Sequence, residues 1–520
     1  MTDTQTITEP QAGLWNIARE QPGKTAVVDP SGTEIAYGDL AARADAYGRG
    51  LQGLGLGVGD VVVAMMPNTI ELVALYFAAM ECGLYIVPIN WHLTGHEVAY
   101  IVEDSEAKAF IGHERFAAAA TIAAAGIPAE ARFAAGSIDG FRPLADLADH
   151  GGRPENLTQG APMVYTSGTT GKPKGVKRPL TGANPQDVPL ASSGFFAGFR
   201  IKPFDDNVHI CGSPLYHTAV LNFVGISIQL GHTVVLMDKF DGEEMLRLID
   251  RYKVTHSHMV PAQFIRLLAL PEDVRAKYDV SSLRTMIHGA APCPNEVKRA
   301  MIDWWGPVVV EYYAATEGGG ATIFADEWLV KPGSVGKAWS YSIIKILDEN
   351  GNEVAANQPG LVYMQMGGSS FAYHNAEEKT RESRVGDLFT VGDIGYLDDD
   401  GYLFLMDRKN DMIISGGVNI YPAEIEGELV MHPAVADVAV FGVPDDEWGE
   451  AIKAVIQPAA GVVPDEALTA DIRAFAAERL AKYKLPKHVS YLDELPRDDN
   501  GKLYKRKLRD PEWAGREKAI

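Results

Sequence analysis

HTVVLMDKFDGEEMLRLIDRYKVTHSHMV, residues 232–260, reads as a strand (HTVVLMD), a helix (DGEEMLRLIDRYK) and a second strand (VTHSHMV). The rhythm continues through PAQFIRLLAL as helix, LRTMIHGA as strand, NEVKRAMIDWW as helix and VVVEYY as strand. Towards the N-terminus, YGDLAARADAYGRGLQGLGL sets Leu40, Ala44, Tyr47 and Leu51 on one helical face, followed by the strand DVVVAMM and the helix TIELVALYFAAMEC. Alternation of this kind predicts an α/β fold with parallel strands, in which ligands bind beyond the carboxyl ends of the strands. Two such ends are expected to be small and open. One runs into His288, Gly289 and Ala290, the other into Ala314, Ala315, Thr316, Glu317 and the glycines 318–320. After about residue 340 the segments shorten around turns and predict hairpins. From Arg408 onward, hairpins and two helices suggest a small separate domain.

VYTSGTTGKPKG, residues 164–175, follows an apolar strand. It offers hydroxyls on Thr166, Ser167, Thr169 and Thr170, permissive backbone at Gly168, Gly171 and Gly175, and ammonium groups on Lys172 and Lys174. A loop of this composition can fold its amides around phosphate oxygens. A Walker loop would need Gly at 166 and Ser or Thr at 173, where this chain has Thr166 and Pro173, so the grip belongs to another architecture.

The 520 residues are 46% hydrophobic, enough for a large core split over more than one domain. A formal net charge of −22 repels polyphosphate backbones and anionic membranes, which argues against nucleic acid as a partner. Cys82, Cys211 and Cys293 are scattered without a CxxC pair, as expected in a reducing compartment. The polar, acidic start MTDTQTITEPQ and the lack of a long uncharged run predict a soluble cytoplasmic protein without a transmembrane segment.

YTSGTTGKPKGV resembles the phosphate-loop signature of the adenylate-forming superfamily of acyl-CoA synthetases, luciferases and peptide-synthetase adenylation domains. Seven further motifs stand in that family's order: INWHLTGHEVAYIVEDSEAK, PLYHTAV from Pro214, HGAAPC from His288, YAATE from Tyr313, VGDIGYLDDDGYL from Val391, DRKNDMIISGGVNIYPAEIE from Asp407 and PRDDNGKLYKRKLR from Pro496. The resemblance covers almost the whole chain. It implies a large N-terminal α/β adenylation domain of several sheets, here residues 1–407, and a small mobile α+β lid, residues 408–520.

The resemblance also implies roles. The loop from Thr166 through Ser167, Gly168, Thr169, Thr170 and Gly171 to Lys174 would cradle the phosphates of ATP, with Thr166 and Glu317 placing Mg²⁺. Gly289, Ala290 and Ala291 would face adenine with Tyr313 stacking, beside Ala315 and Thr316. Asp393 would take the ribose hydroxyls with Arg408 as a second contact. Lys502 would bridge acyl and α-phosphate oxygens during adenylation. Asn410 would be the pivot of the lid, where Asp or Lys is usual, and Ser415, Gly416 and Gly417 would line the thiol tunnel afterwards. Lys505, Arg506 and Lys507 would face solvent or a phosphate of CoA. Ala314 stands where the family more often has Gly.

The activity so implied is an ATP-dependent acyl-CoA ligase, catalysed with Lys502, Glu317 and His217. The carboxylic acid would bind against His217, Val220, Phe223 and Gly318, Gly319 and Gly320. The three glycines predict a roomy apolar tunnel for a medium or long fatty acid or a sterol-side-chain acid. Expected partners are that acid, ATP and CoA, with a homodimer as one expected assembly. The alternative is an acyl-AMP ligase that loads an acyl carrier protein; a luciferase or a non-enzymatic nucleotide sensor is less well matched.

Overall fold

Thr233–Leu236 is a strand, Gly242–Tyr252 a helix and His256–Met259 a strand, as the opening stretch predicts. The helix begins where the Asp241 carboxylate accepts from the Glu244 amide at 2.8 Å and ends at Lys253, whose φ of 50° is left-handed. The computed structural model describes residues 11–148, 152–166, 173–367, 371–409, 411–415, 418–445, 448–497 and 503–514. They fall into two units, one drawn from residues 1–259, 270–287 and 368–382, the other from 260–269, 288–367 and 383–520.

The first unit holds the crossover strands. Thr25–Val28, Thr233–Leu236, Val208–Cys211 and His256–Met259 lie side by side and parallel. A second parallel sheet runs Arg142–Pro143, Arg132–Ala135, Ala109–His113, Val61–Met65, Tyr85–Pro88, Ala161–Pro162. Every residue of Val61–Met65 is buried, the mark of a strand covered on both faces. Helix Tyr37–Gly53 buries Leu40, Ala44, Tyr47 and Leu51, the face read from the sequence. Helix Ile70–Glu81 is apolar almost all round and accordingly buried; Thr69 caps it by accepting from the Leu72 amide.

The second unit is antiparallel from Val309 onward. Its strands run Val309–Ala315, Gly318–Phe324, Ser334–Ala338, Leu403–Arg408, Asp393–Leu397, Gly360–Met366. Hairpins were expected only after about residue 340, so the change comes earlier. Ala315 pairs with Gly318, and the Thr316–Glu317 connection is too short for a crossover. The glycines 318–320 therefore begin a strand, where the sequence suggested an open strand end. In the C-terminal part, Val435–Asp445 and Gly449–Pro458 pair along their length over helices Pro422–Leu429 and Glu466–Arg479, with Ile413, Ile425, Val440, Ile456 and Ile472 in the core.

The first unit also buries a chain of imidazoles. His209 Nδ1 is 2.9 Å from Ser227 Oγ, which is 3.2 Å from His256 Nε2; His256 Nδ1 is 3.1 Å from Thr255 Oγ1. Thr255 donates to Asn207, whose amide nitrogen is 3.4 Å from His232 Nε2. Burial, followed by the neighbouring imidazoles, holds His209 down at about 3; burial holds His232 and His258 at about 4, and His256 well below its ordinary value. These folded values lie below the ordinary 6.5, so the stability they carry is present above pH 6.5 and is lost as pH falls towards the folded values. At pH 5 each of His209, His232 and His258 withdraws about 2 kcal/mol. The urea midpoint should therefore fall steeply between pH 7 and pH 5; a midpoint flat over that interval contradicts neutral burial.

Candidate active site

Two paired strands flank the predicted phosphate loop. Val164–Thr166 and Lys174–Lys177 pair antiparallel, Thr166 opposite Lys174, so the ends of the predicted phosphate loop are fixed by register. Tyr165 donates to Asp104 Oδ2 at 2.6 Å, and burial with that carboxylate pushes its phenol well up. His374 donates its amide to the Gly175 carbonyl at 2.8 Å. A Cβ on Gly175 would lie 3.0 Å from the Tyr165 ring, so this glycine admits the tyrosine rather than a phosphate. Ser167, Gly168, Thr169, Thr170 and Gly171 lie outside the described residues, as does the side chain of Thr166.

His217 is the N-cap residue of helix Thr218–Gln229, its ring 4.4 Å from that of Tyr216. Tyr216 meets Trp91 edge-on at 4.7 Å, and Trp91 stacks on Phe116. Val220 and Phe223 follow on one helix face and are buried. Phe223 packs among Phe195, Phe196, Phe199 and His258 at 4.9–5.6 Å.

Tyr313, Asp393, Arg408 and residues 289–291, expected from the sequence to face adenine and ribose, belong to the second unit. Tyr313 donates to Asp393 Oδ2 at 2.6 Å, and Arg408 Nε is 3.3 Å from Asp393 Oδ1. Asp393 and Arg408 are register partners on adjacent strands, so the pairing sets their side chains together. Burial, then Asp393, raises the Tyr313 phenol well above its ordinary value, so it remains a donor. Gly289 must lack a side chain, since a Cβ there would come 2.7 Å from the Tyr312 carbonyl. Ala290 next to it is held at φ 67°, and Ala291 is half-buried. Ala315 ends its strand, and Thr316 and Glu317 make the turn, with Glu317 buried.

The roomy tunnel over the glycines needs correction. A Cβ on Gly319 would meet Met364 at 2.8 Å, and one on Gly320 would meet the Trp339 ring at 2.5 Å. Trp339 is pinned there by its Nε1 bond to Thr322 Oγ1 at 2.6 Å. The glycines at 319 and 320 admit close neighbours and leave no open volume where their side chains would be; with Gly318 they form the start of a paired strand.

Ser415 pairs antiparallel with Val418. Gly416, Gly417 and the pivot Asn410 lie outside the described residues, and so does Lys502. Arg497 and Leu503 form an isolated bridge, and Arg497 Nη2 donates to Asp437 at 2.7 Å. Lys505 turns inward to Glu426 at 2.9 Å; burial opposes its charge but Glu426 and Asp407 outweigh it, so it is not a free contact for solvent or CoA. Sequence reasoning also missed the buried pair of Lys298 and Glu311, 2.7 Å apart. The signal was present: Lys298 stands in the apolar stripe of Val297, Met301, Ile302 and Trp305.

Residues 14–372 match the family model for AMP-binding enzyme, and residues 424–502 match that for AMP-binding enzyme C-terminal domain. The chain belongs to the AMP-binding enzyme family. This AMP-binding enzyme is 33% identical to long-chain-fatty-acid–CoA ligase FadD13 of Mycobacterium tuberculosis, over 95% of this chain and 96% of that protein. It is 34% identical to a feruloyl-CoA synthase of Amycolatopsis sp, over 96% and 98%. Its fold is similar to that of the o-succinylbenzoate CoA synthetase MenE from Bacillus subtilis in complex with an acyl-adenylate intermediate, with a TM-score of 0.80, 27% identity and coverage of 98% and 99%. It is an AMP-forming acid–thiol ligase of the acyl- and aryl-CoA ligase group, with ATP and CoA as the family's substrates. Among the described residues no helix is long and apolar enough to cross a membrane.

Tyr313→Phe keeps the ring of this AMP-binding enzyme and removes the bond to Asp393. A hydrogen bond to a charged group is worth about 2 kcal/mol, so the KM for ATP should rise roughly tenfold or more with kcat within about twofold. Steady-state kinetics in ATP check this, and an unchanged KM contradicts a nucleotide role for the pair.

Proposed function

We propose that this chain activates an apolar carboxylic acid, of medium to long chain or carrying a fused-ring body, as an acyl-adenylate and transfers it to CoA. The observation that carries the reading is the match to CoA ligases along 95% of the chain. The similarity to a relative named as a long-chain-fatty-acid–CoA ligase supports an apolar acid. The glycine strand no longer contributes to that argument, because Trp339 and Met364 fill its space.

The chemistry follows from charge. A carboxylate attacks the α-phosphorus of ATP, pyrophosphate leaves, and the mixed anhydride is then opened by the thiol. Two anions must meet, so donors and cations are needed where charge grows on the phosphoryl oxygens. The residues from Thr166 to Lys174 would grip the phosphates, Asp393 and Arg408 the ribose, and 289–291 with Tyr313 the adenine. Thr166 and Glu317 offer a hydroxyl and a carboxylate, the hard oxygen donors that suit Mg²⁺, and that ion would neutralise phosphate charge. Lys502 would serve adenylation alone, and residues 408–520 would then turn at Asn410 to bring Ser415, Gly416 and Gly417 to the thiol path. We place the reaction in the cytoplasm, where ATP and CoA are supplied.

Incubation with ATP, Mg²⁺, CoA and acids from acetate to long-chain and polycyclic ones should give thioester, with acetate and propionate the poorest substrates. Best turnover with acetate contradicts the acid class; adenylate without thioester assigns the enzyme to carrier loading. Lys502→Ala should slow adenylate formation by about a hundredfold or more while thioester formation from supplied acyl-AMP stays within about threefold. Equal loss of both steps contradicts the two-state reading.

A further inference from the structure

Glu311 stands two residues before Tyr313 on the strand Val309–Ala315, so both side chains leave the same face. Its carboxylate is buried and takes Lys298 Nζ at 2.7 Å, with His288 Nε2 at 3.9 Å from the same Oε2 atom. Lys298 and His288 are each 0% exposed. Lys298 also lies 4.8 Å from the Trp328 ring, and His288 meets Phe264 edge-on at 5.1 Å.

The positions of these two partners matter more than their burial. His288 is the residue before Gly289, and Lys298 lies in the first turn of helix Asn295–Trp305, just after Pro294. The carboxylate therefore anchors the helix side of the segment 289–294 through Lys298 and faces His288, too far for a hydrogen bond, on the strand side. Inside that segment Ala290 has a φ of 67°, a left-handed conformation that costs an alanine what it does not cost a glycine. Strain of this kind persists only where the surroundings over-determine it. On the reading given above, this is also the segment that receives the base.

We propose that Glu311, bonded to Lys298 and facing His288, is a positioning residue that holds the left-handed Ala290 segment in the shape that accepts adenine. The inference rests on the nucleotide assignment under Proposed function and adds to it the source of base selectivity. Adenine and guanine differ in the donors and acceptors they show to a fixed backbone, so a segment held in one shape can tell them apart.

Glu311→Gln alone would leave Lys298 buried without its counter-charge, a strongly destabilising change. The test therefore uses Lys298→Met/Glu311→Gln, which removes both charges together, and His288→Leu, which removes only the imidazole that faces the carboxylate on the strand side. Binding of ATP and GTP is measured by calorimetry on the full chain, with circular dichroism to establish that each variant is folded. The wild-type chain should prefer ATP. The double variant should bind ATP about tenfold more weakly, with the ATP-over-GTP preference falling towards one; His288→Leu should weaken ATP about threefold. Adding Ala290→Gly to the double variant should recover at least threefold, since glycine takes the left-handed angle without the alanine's cost. Unchanged ATP binding in the double variant overturns the proposal. Equal weakening of ATP and GTP, or no recovery with Ala290→Gly, also overturns it, because loosening would then be general. A wild-type chain that binds ATP selectively but forms no acyl product would defeat the ligase reading and leave the clamp standing.

Discussion

The bond that Tyr313 donates to Asp393 joins residues 80 apart in sequence and organises the cluster that we propose binds the nucleotide. Asp393 alone would be a carboxylate at the start of a strand. With Tyr313 on one oxygen and Arg408 near the other, it becomes an oriented acceptor whose lone pairs have fixed directions. The sheet makes this possible: Asp393 and Arg408 are register partners, and the hairpin of Val309–Ala315 with Gly318–Phe324 carries Tyr313 and then turns at Glu317. A shift of one residue in either pairing would send the side chains to opposite faces.

The same economy governs the other buried polar groups. Lys298 answers Glu311, Lys505 answers Glu426, and the imidazoles of the first unit share Ser227 and Thr255. Buried charge is tolerated where a counter-charge is at hydrogen-bond distance, and buried histidine where the ring stays neutral. These are different solutions with different sensitivities. The ion pairs respond to loss of one partner, and the histidine chain responds to pH.

Much of the fold was legible because its signals are periodic. The helix face of Leu40, Ala44, Tyr47 and Leu51, the strand at 61–65 and the alternation from 232 to 305 all follow from local pattern. The glycines at 318–320 were misread for a physical reason. Three glycines show what the chain lacks, but not that Trp339 and Met364 come from elsewhere to fill the space. Lys505 likewise looked like part of a solvated basic run, because its partner Glu426 lies on a distant helix. At the site, the motifs set Tyr313 against adenine and Asp393 with Arg408 at the ribose, yet the bond between tyrosine and aspartate is visible only in three dimensions. Lys298 was conspicuous in its apolar stripe, and its meaning needed Glu311 beside it.

The central claim is that Asp393, held by Tyr313 and flanked by Arg408, receives the ribose hydroxyls of the nucleotide. The most direct test compares kcat/KM for ATP, 2′-deoxy-ATP and 3′-deoxy-ATP in the wild-type enzyme and in Asp393→Ala. A hydrogen bond to a charged acceptor is worth about 1.5–3 kcal/mol, so the wild type should disfavour at least one deoxynucleotide by roughly ten- to a hundredfold, and the variant should lose that discrimination. Equal use of all three nucleotides by the wild type, or full discrimination retained without Asp393, would contradict the account.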